Sequence, residues 1–212
     1  MAKRESDSPM TLLQIDLERG EWKSRKPKFP PFHEIWNFEG DERVISKRWF
    51  YVLRLAFGDT FLKCKCIDHN SLTQMYASKE QFRKDGFFLI TARSETVATA
   101  FAWTDRIDEK EVGIVHWVAV APESQRSGIG RAVVELVLRN LCDRGFKRAL
   151  VRTESYRTDA ISMYCSIGFR RVSESGVSRC DSRERLVPER GEIAAEPSSP
   201  SLGDSRALGN RK

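Results

Sequence analysis

Long apolar runs are missing from this 212-residue chain. Its opening, Met1-Ala2-Lys3-Arg4-Glu5-Ser6-Asp7, passes into mixed polar residues, so neither a secretion signal nor a membrane span is expected. Cysteine is sparse. Cys64, Cys66, Cys142, Cys165 and Cys180 form an odd set without framework spacing, which argues against a disulfide scaffold and for a reducing compartment, the cytoplasm by default. Metal-ligand spacing is lacking too: Cys64-Lys65-Cys66 and His69 have no fourth ligand at a suitable interval, so no metal is expected. No internal repeat is visible.

What the chain does have is enough apolar matter for a core, with 40% hydrophobic and 10% aromatic residues. The length suits one domain with tails. A formal net charge of +6 and a pI near 9.2 suit acidic ligands, phosphorylated cofactors and nucleic acid alike. The polar start, with the basic, proline-bearing strip from Lys23 to Pro31, reads as a flexible arm over residues 1–31. A domain is expected over 32–180. The Ser-, Pro-, Glu- and Arg-rich remainder, 181–212, reads as a disordered tail.

Within the domain the pattern predicts a strand at Phe32–Phe38, a helix at Lys47–Phe57 and a second helical stretch at Leu72–Lys84. A hairpin of Phe87–Ala92 and Thr96–Thr104 follows, then a polar turn over Asp105–Lys110 and a strand at Gly113–Val120. Ile129, Val133, Leu136, Val137 and Leu141 recur at helical spacing from about Gly128 to Arg144, with Gly145 as a cap. Arg148–Thr153 reads as a buried strand, Asp159–Ile167 as a short helix and Phe169–Ser173 as a last strand.

The chemistry concentrates after Val118-Ala119-Val120. This run ends at Pro122 and leads through Gln125-Arg126-Ser127-Gly128-Ile129-Gly130-Arg131 into the long helix. Such an order leaves main-chain N–H groups free at a helix N-terminus, where orphan donors and the helix dipole favour an anion. A dinucleotide-binding fingerprint is the competing reading, with Glu154 as the ribose acid. Val133 stands where that pattern needs a third glycine, and the preceding hairpin suits an antiparallel sheet.

The Gln125-x-x-Gly128-x-Gly130 spelling, followed in order by Ala160-Ile161-Ser162-Met163-Tyr164-Cys165-Ser166-Ile167-Gly168-Phe169, resembles the GNAT superfamily of N-acetyltransferases. The likeness covers Phe87 to Val172. His116-Trp117-Val118-Ala119-Val120 and Thr153 to Ile161 look most like its mycothiol-synthase-like branch. This resemblance implies an α/β (α+β) fold, a central mixed, mostly antiparallel sheet flanked by helices, with a splayed central strand. It further implies acetyl-CoA as co-substrate and direct transfer of the acetyl group to a primary amine, on a small molecule or a protein. Gln125, Arg126, Ser127, Gly128, Ile129, Gly130 and Arg131 would hold the pyrophosphate. The backbone of Val118, Ala119 and Val120 would hold the pantetheine arm and thioester carbonyl, and Arg157 stands where the family often has asparagine. Tyr164 would protonate the leaving thiolate.

The base is open between His116 and Glu154. Some family members carry a glutamate on the central strand; the matching residue here is Ile114. His116 lies two residues on, where other members carry a histidine base, and Glu154 ends the following strand. The missing acid motivates a rival reading, a non-catalytic acyl-CoA-binding module. Gly176–Cys180 is a weak match to the hairpin that usually closes the acceptor site. Membrane and nucleic acid are not expected partners, and a homodimer is compatible with the family.

Overall fold

The structure, a computed structural model, describes residues 9–107 and 110–172. One seven-stranded sheet has the order β2-β3-β4-β5-β6-β1-β7. Its strands are β1 (Met10–Asp16), β2 (His33–Trp36), β3 (Phe87–Ala92), β4 (Glu95–Ile107), β5 (Lys110–Val120), β6 (Arg148–Glu154) and β7 (Arg170–Val172). Only β5 and β6 run parallel; every other neighbour is antiparallel.

Helices α1 (Glu42–Phe57) and α2 (Asp59–Cys64) cover one face, while α3 (Ile129–Asp143) and α4 (Thr158–Ile167) cover the other. Asp41 caps α1 by accepting the Arg43 and Val44 amides. Ile45, Trp49, Val52 and Leu53 then present a buried stripe. On α3, Ile129, Val133, Val137 and Leu141 bury the opposite face against Ala98, Ala100 and Val115 of the sheet. Helices on both faces explain why β4 is buried at every position from Thr96 to Ala102.

Several sequence expectations are corrected. The arm over residues 1–31 is part of the domain wherever it is described. β1 pairs with β6 along its whole length and with β7 over Leu12–Gln14. Leu13, Ile15 and Leu17 alternate into the core beside α3, and Trp22 follows them. The basic residues that suggested a linker begin only at Lys23, after that stripe ends.

The helix expected over Leu72–Lys84 is a single π-helical turn, Leu72–Ala77. Beyond it only Phe82 reaches the core, packing edge-on to Phe38, so no apolar face sustains a longer helix. β4 continues to Ile107 and β5 begins at Lys110, shortening the expected polar turn. Residues 173–212, including the expected closing hairpin and tail, lie outside the described residues.

Candidate active site

The site begins with a fault in the sheet. Thr99 pairs with Ala119 and Phe101 with His116, so Ala100 on β4 faces two residues, Trp117 and Val118, on β5. This is a β-bulge, and Trp117 takes a positive φ of 49° to form it. The bulge turns both His116 and Trp117 toward the α1 side, where alternation alone would have sent Trp117 to the other face.

β5 and β6 register only at Gly113↔Ala149 and Ile114↔Leu150. Beyond those pairs they diverge, leaving a cleft of about 1300 Å³. The splay expected of the central strand is therefore present. Gln125 Nε2 donates to the Val120 carbonyl at 3.1 Å, so that oxygen faces away from β4 into the opening. By the two-residue period of a strand, Val118 shows its backbone to the same side, and Ala119 lies against β4 and the α1-side core.

At the head of β5 the chain makes a short 3₁₀ turn, Pro122–Ser124, and two left-handed residues, Arg126 (φ 61°) and Gly128 (φ 88°), carry it into α3. Among the described residues, no acceptor pairs with the main-chain amides of residues 126–131; the first helical bond runs from Ala132 N to the Gly128 carbonyl. Six donors thus stand free at the positive end of a 15-residue helix. Gly128 serves the backbone angle, since a Cβ there would meet nothing within 4 Å. At Gly130 the reason is space: a Cβ would lie 3.2 Å from Met163 Sδ and 3.4 Å from Val120. Glycine here lets α3 start tight against α4 and β5.

The side chains of this loop mostly brace it. Ser127 donates to the Ser124 carbonyl, and Ile129 is buried in the core. Arg126 pairs with Asp159 at 2.7 Å, both exposed. Arg131 reaches the Ser166 carbonyl at 2.9 Å and hydroxyl at 2.7 Å, as well as Glu135 at 3.4 Å. The free donors here are main chain, with two arginines at their edge.

Tyr164, on α4, lines the same cleft and is otherwise buried against Phe169. Burial pushes its hydroxyl pKa well above the ordinary tyrosine value, so it holds its proton at neutral pH.

On the α1 side the cleft is aromatic. His116 lies edge-on to Phe101 at 5.0 Å and Tyr76 at 5.3 Å, with Trp117 and Trp103 also against it. Part of its ring reaches the cleft, yet Nε2 is enclosed and has no hydrogen-bond partner. Desolvation pushes its pKa down to about 3, so the imidazole is neutral and weakly basic. The histidine is in place, but as the structure stands it holds a proton poorly.

Glu154 ends β6 opposite Met10 of β1 and accepts from Arg157 Nε at 2.8 Å, both side chains being mostly buried. The Arg157 guanidinium lies over Phe57 (4.7 Å), Phe61 (5.1 Å) and Tyr156 (5.2 Å). Arg157 therefore bridges the α1–α2 turn and the β6–α4 loop rather than joining the amides of 126–131. Met10 and Leu12 of β1 also line the cleft. Sequence reasoning passed over these two residues, as well as Phe57, Phe61, Tyr76 and Trp103. The period-two pattern of Leu13, Ile15 and Leu17 was the available signal for β1; nothing local marks the aromatic residues as cleft-facing.

Cys64 and Cys66 are free and exposed, and no group of three or more His, Cys, Asp or Glu side chains is gathered among the described residues. No helix among them is long and apolar enough to cross a membrane.

A split mixed sheet whose parting strand feeds a helix with free N-terminal amides defines an α/β domain with a row of open donors at the mouth of its cleft. Residues 50–169 match the model of the acetyltransferase (GNAT) family, and the chain belongs to that family. The mycothiol acetyltransferase of Saccharomonospora viridis is 34% identical over 172 residues, covering 76% of this chain and 53% of that protein. That of Kytococcus sedentarius is 28% identical over 166 residues, covering 72% and 54%. The chain spans about half the length of these curated relatives, and less of others.

Among solved structures, the ribosomal-protein-S18-alanine N-acetyltransferase of Escherichia coli superposes with a TM-score of 0.52 at 20% identity, covering 66% of this chain and 79% of that one. A GCN5-related N-acetyltransferase from Sphaerobacter thermophilus gives 0.55 at 16% identity, covering 77% and 48%. These likenesses establish the GNAT fold.

Proposed function

We propose that this domain transfers an acetyl group from acetyl-CoA to a primary amine by direct attack, with no acyl-enzyme. The observation that carries this reading is the set of free amides at residues 126–131, beside the open edge of β5. A diphosphate suits that cradle: the donors are main chain, a helix dipole points at it, and Gly128 leaves open space where a side chain would stand. Arg126 and Arg131 add positive charge at its rim.

Each residue then has a task. Backbone groups of Val118 and Val120 hold the pantetheine arm as a further strand would, and an amide of the same stretch stabilises the oxyanion that develops on the thioester carbonyl. The amine adds to that carbonyl to form the N–C bond, and collapse of the oxyanion then breaks the C–S bond. Glu154 takes the proton released by the amine, directly or through water, and the Tyr164 hydroxyl gives one to the departing thiolate. His116, held neutral by burial, borders the amine through the part of its ring that reaches the cleft rather than storing its proton. Acetyl-CoA itself supplies the activated acyl group.

One observation favours the rival reading of a binding module without turnover: Glu154, the remaining carboxylate base, is already paired with Arg157. Thiol release decides between them. With acetyl-CoA and a panel of amines, steady appearance of free CoA supports transfer. Binding of CoA, seen as a thermal shift, without turnover on any amine supports the module. The absence of CoA binding at millimolar ligand overturns both.

A further inference from the structure

We propose that the α1 side of the cleft accepts an aromatic primary amine, its ring held among Phe57, Phe61, Trp103 and Trp117 and its amino group turned toward the part of the His116 ring that reaches the cleft. This rests on the acetyl-transfer reading and adds the class of acceptor.

The two sides of the cleft differ in chemistry. Amides and arginines gather where α3 begins, whereas the α1 side presents aromatic rings that keep accessible surface at the border of a closed core. Trp117 stands against Phe57 at 6.0 Å and 60°, Phe57 against Phe61 at 5.3 Å, and Trp103 meets Tyr76 edge-on at 5.6 Å and 90°. These are the separations and tilts at which aromatic rings attract. A further ring entering the cleft continues the array and removes the remaining apolar surface from water.

Most charged side chains along that lining are cationic: Lys65, Lys79, Arg152 and Arg157. Trp117 Nε1 is spent on the Tyr76 hydroxyl at 2.8 Å. The His116 ring reaches the cleft in part, while its Nε2 is enclosed and unpaired. An amine at the accessible part of the ring meets a neutral imidazole, which does not repel its charge. A hydroxyl-rich amino sugar would press several hydroxyls against rings that cannot bond them. A polyamine would carry extra ammonium groups toward Lys65, Lys79, Arg152 and Arg157, which outnumber Asp105 and Glu154 along the lining.

The experiment compares 2-phenylethylamine with glucosamine and putrescine in the thiol-release assay. In parallel, quenching of tryptophan fluorescence by 2-phenylethylamine is titrated with CoA present. The expected result is a kcat/KM for 2-phenylethylamine about tenfold or more above either polar amine, with Trp103→Ala lowering its advantage over methylamine by about tenfold. Phe61→Ala gives the same reading should the tryptophan variant fail to fold. Release with glucosamine or putrescine in preference overturns the aromatic pocket and leaves acetyl transfer standing. Saturable quenching without release from any amine keeps the pocket and removes transfer, and neither quenching nor release removes both.

Discussion

The side-chain amide of Gln125 donates to the Val120 carbonyl at 3.1 Å, tying the far side of the anion loop back to the strand that enters it. The bond closes the six-residue turn from Val120 to Gln125 just ahead of the free amides, so it holds the loop in shape before any ligand arrives. Net, such a bond contributes about 1 kcal/mol. Gln125→Ala is expected to loosen residues 126–128 and raise the Kd for CoA about fivefold, measured by calorimetry. An unchanged Kd would show that the loop needs no such tie.

In the proposed reaction Tyr164 gives the leaving thiolate its proton. Its hydroxyl, raised by burial, stays protonated through neutral and mildly alkaline pH. Replacing it with phenylalanine keeps the ring against Phe169. The expected outcome is a kcat lower by roughly a hundredfold, with CoA affinity nearly intact. Equal losses in both would assign Tyr164 to packing.

His116 makes the fold acid-sensitive. Its folded-state pKa of about 3 lies below the ordinary 6.5, so the unfolded chain binds a proton that the folded one refuses. That stability is complete above pH 6.5 and drains as pH falls from there toward 3. His116→Phe, which leaves an aromatic ring in the cage, is expected to flatten the fall in denaturation midpoint over this window. A parallel profile for the variant would mean that other groups govern acid unfolding.

Leu13, fully buried between β6 and β7, tests whether the N-terminal strand belongs to the domain. Leu13→Ala is expected to cost about 2–5 kcal/mol in chemical denaturation, the range for a core leucine. A cost of only a few tenths of a kcal/mol would return residues 10–16 to the status of an arm.

The parts of the fold that could be read from the sequence are those where one local signal decides. The period of Ile129, Val133, Val137 and Leu141 fixed α3, and Gly128 with Gly130 marked the turn that opens it. β1 was misread because three alternating apolar residues lay beside a longer basic stretch whose composition suggests a linker. Its partners, β6 and β7, come more than 130 residues later. Local composition carries no trace of such pairing. The bulge at Trp117 was equally silent, since β-bulges need no particular spelling. It decides which face His116 and Trp117 share, and with it the aromatic wall of the cleft. Glu154 and Arg157 were visible as chemistry, while their mutual ion pair and the rings beneath Arg157 depend on how α1 meets the β6–α4 loop.

The central claim is that main-chain amides at residues 126–131 grip a diphosphate, and amide-resolved NMR tests it most directly. Titration with CoA is expected to shift the amide resonances of those six residues, whereas pantetheine, which lacks the diphosphate, leaves them in place while perturbing Val118 and Val120. Shifts confined to other residues at saturating CoA, or equal shifts with pantetheine, would contradict it.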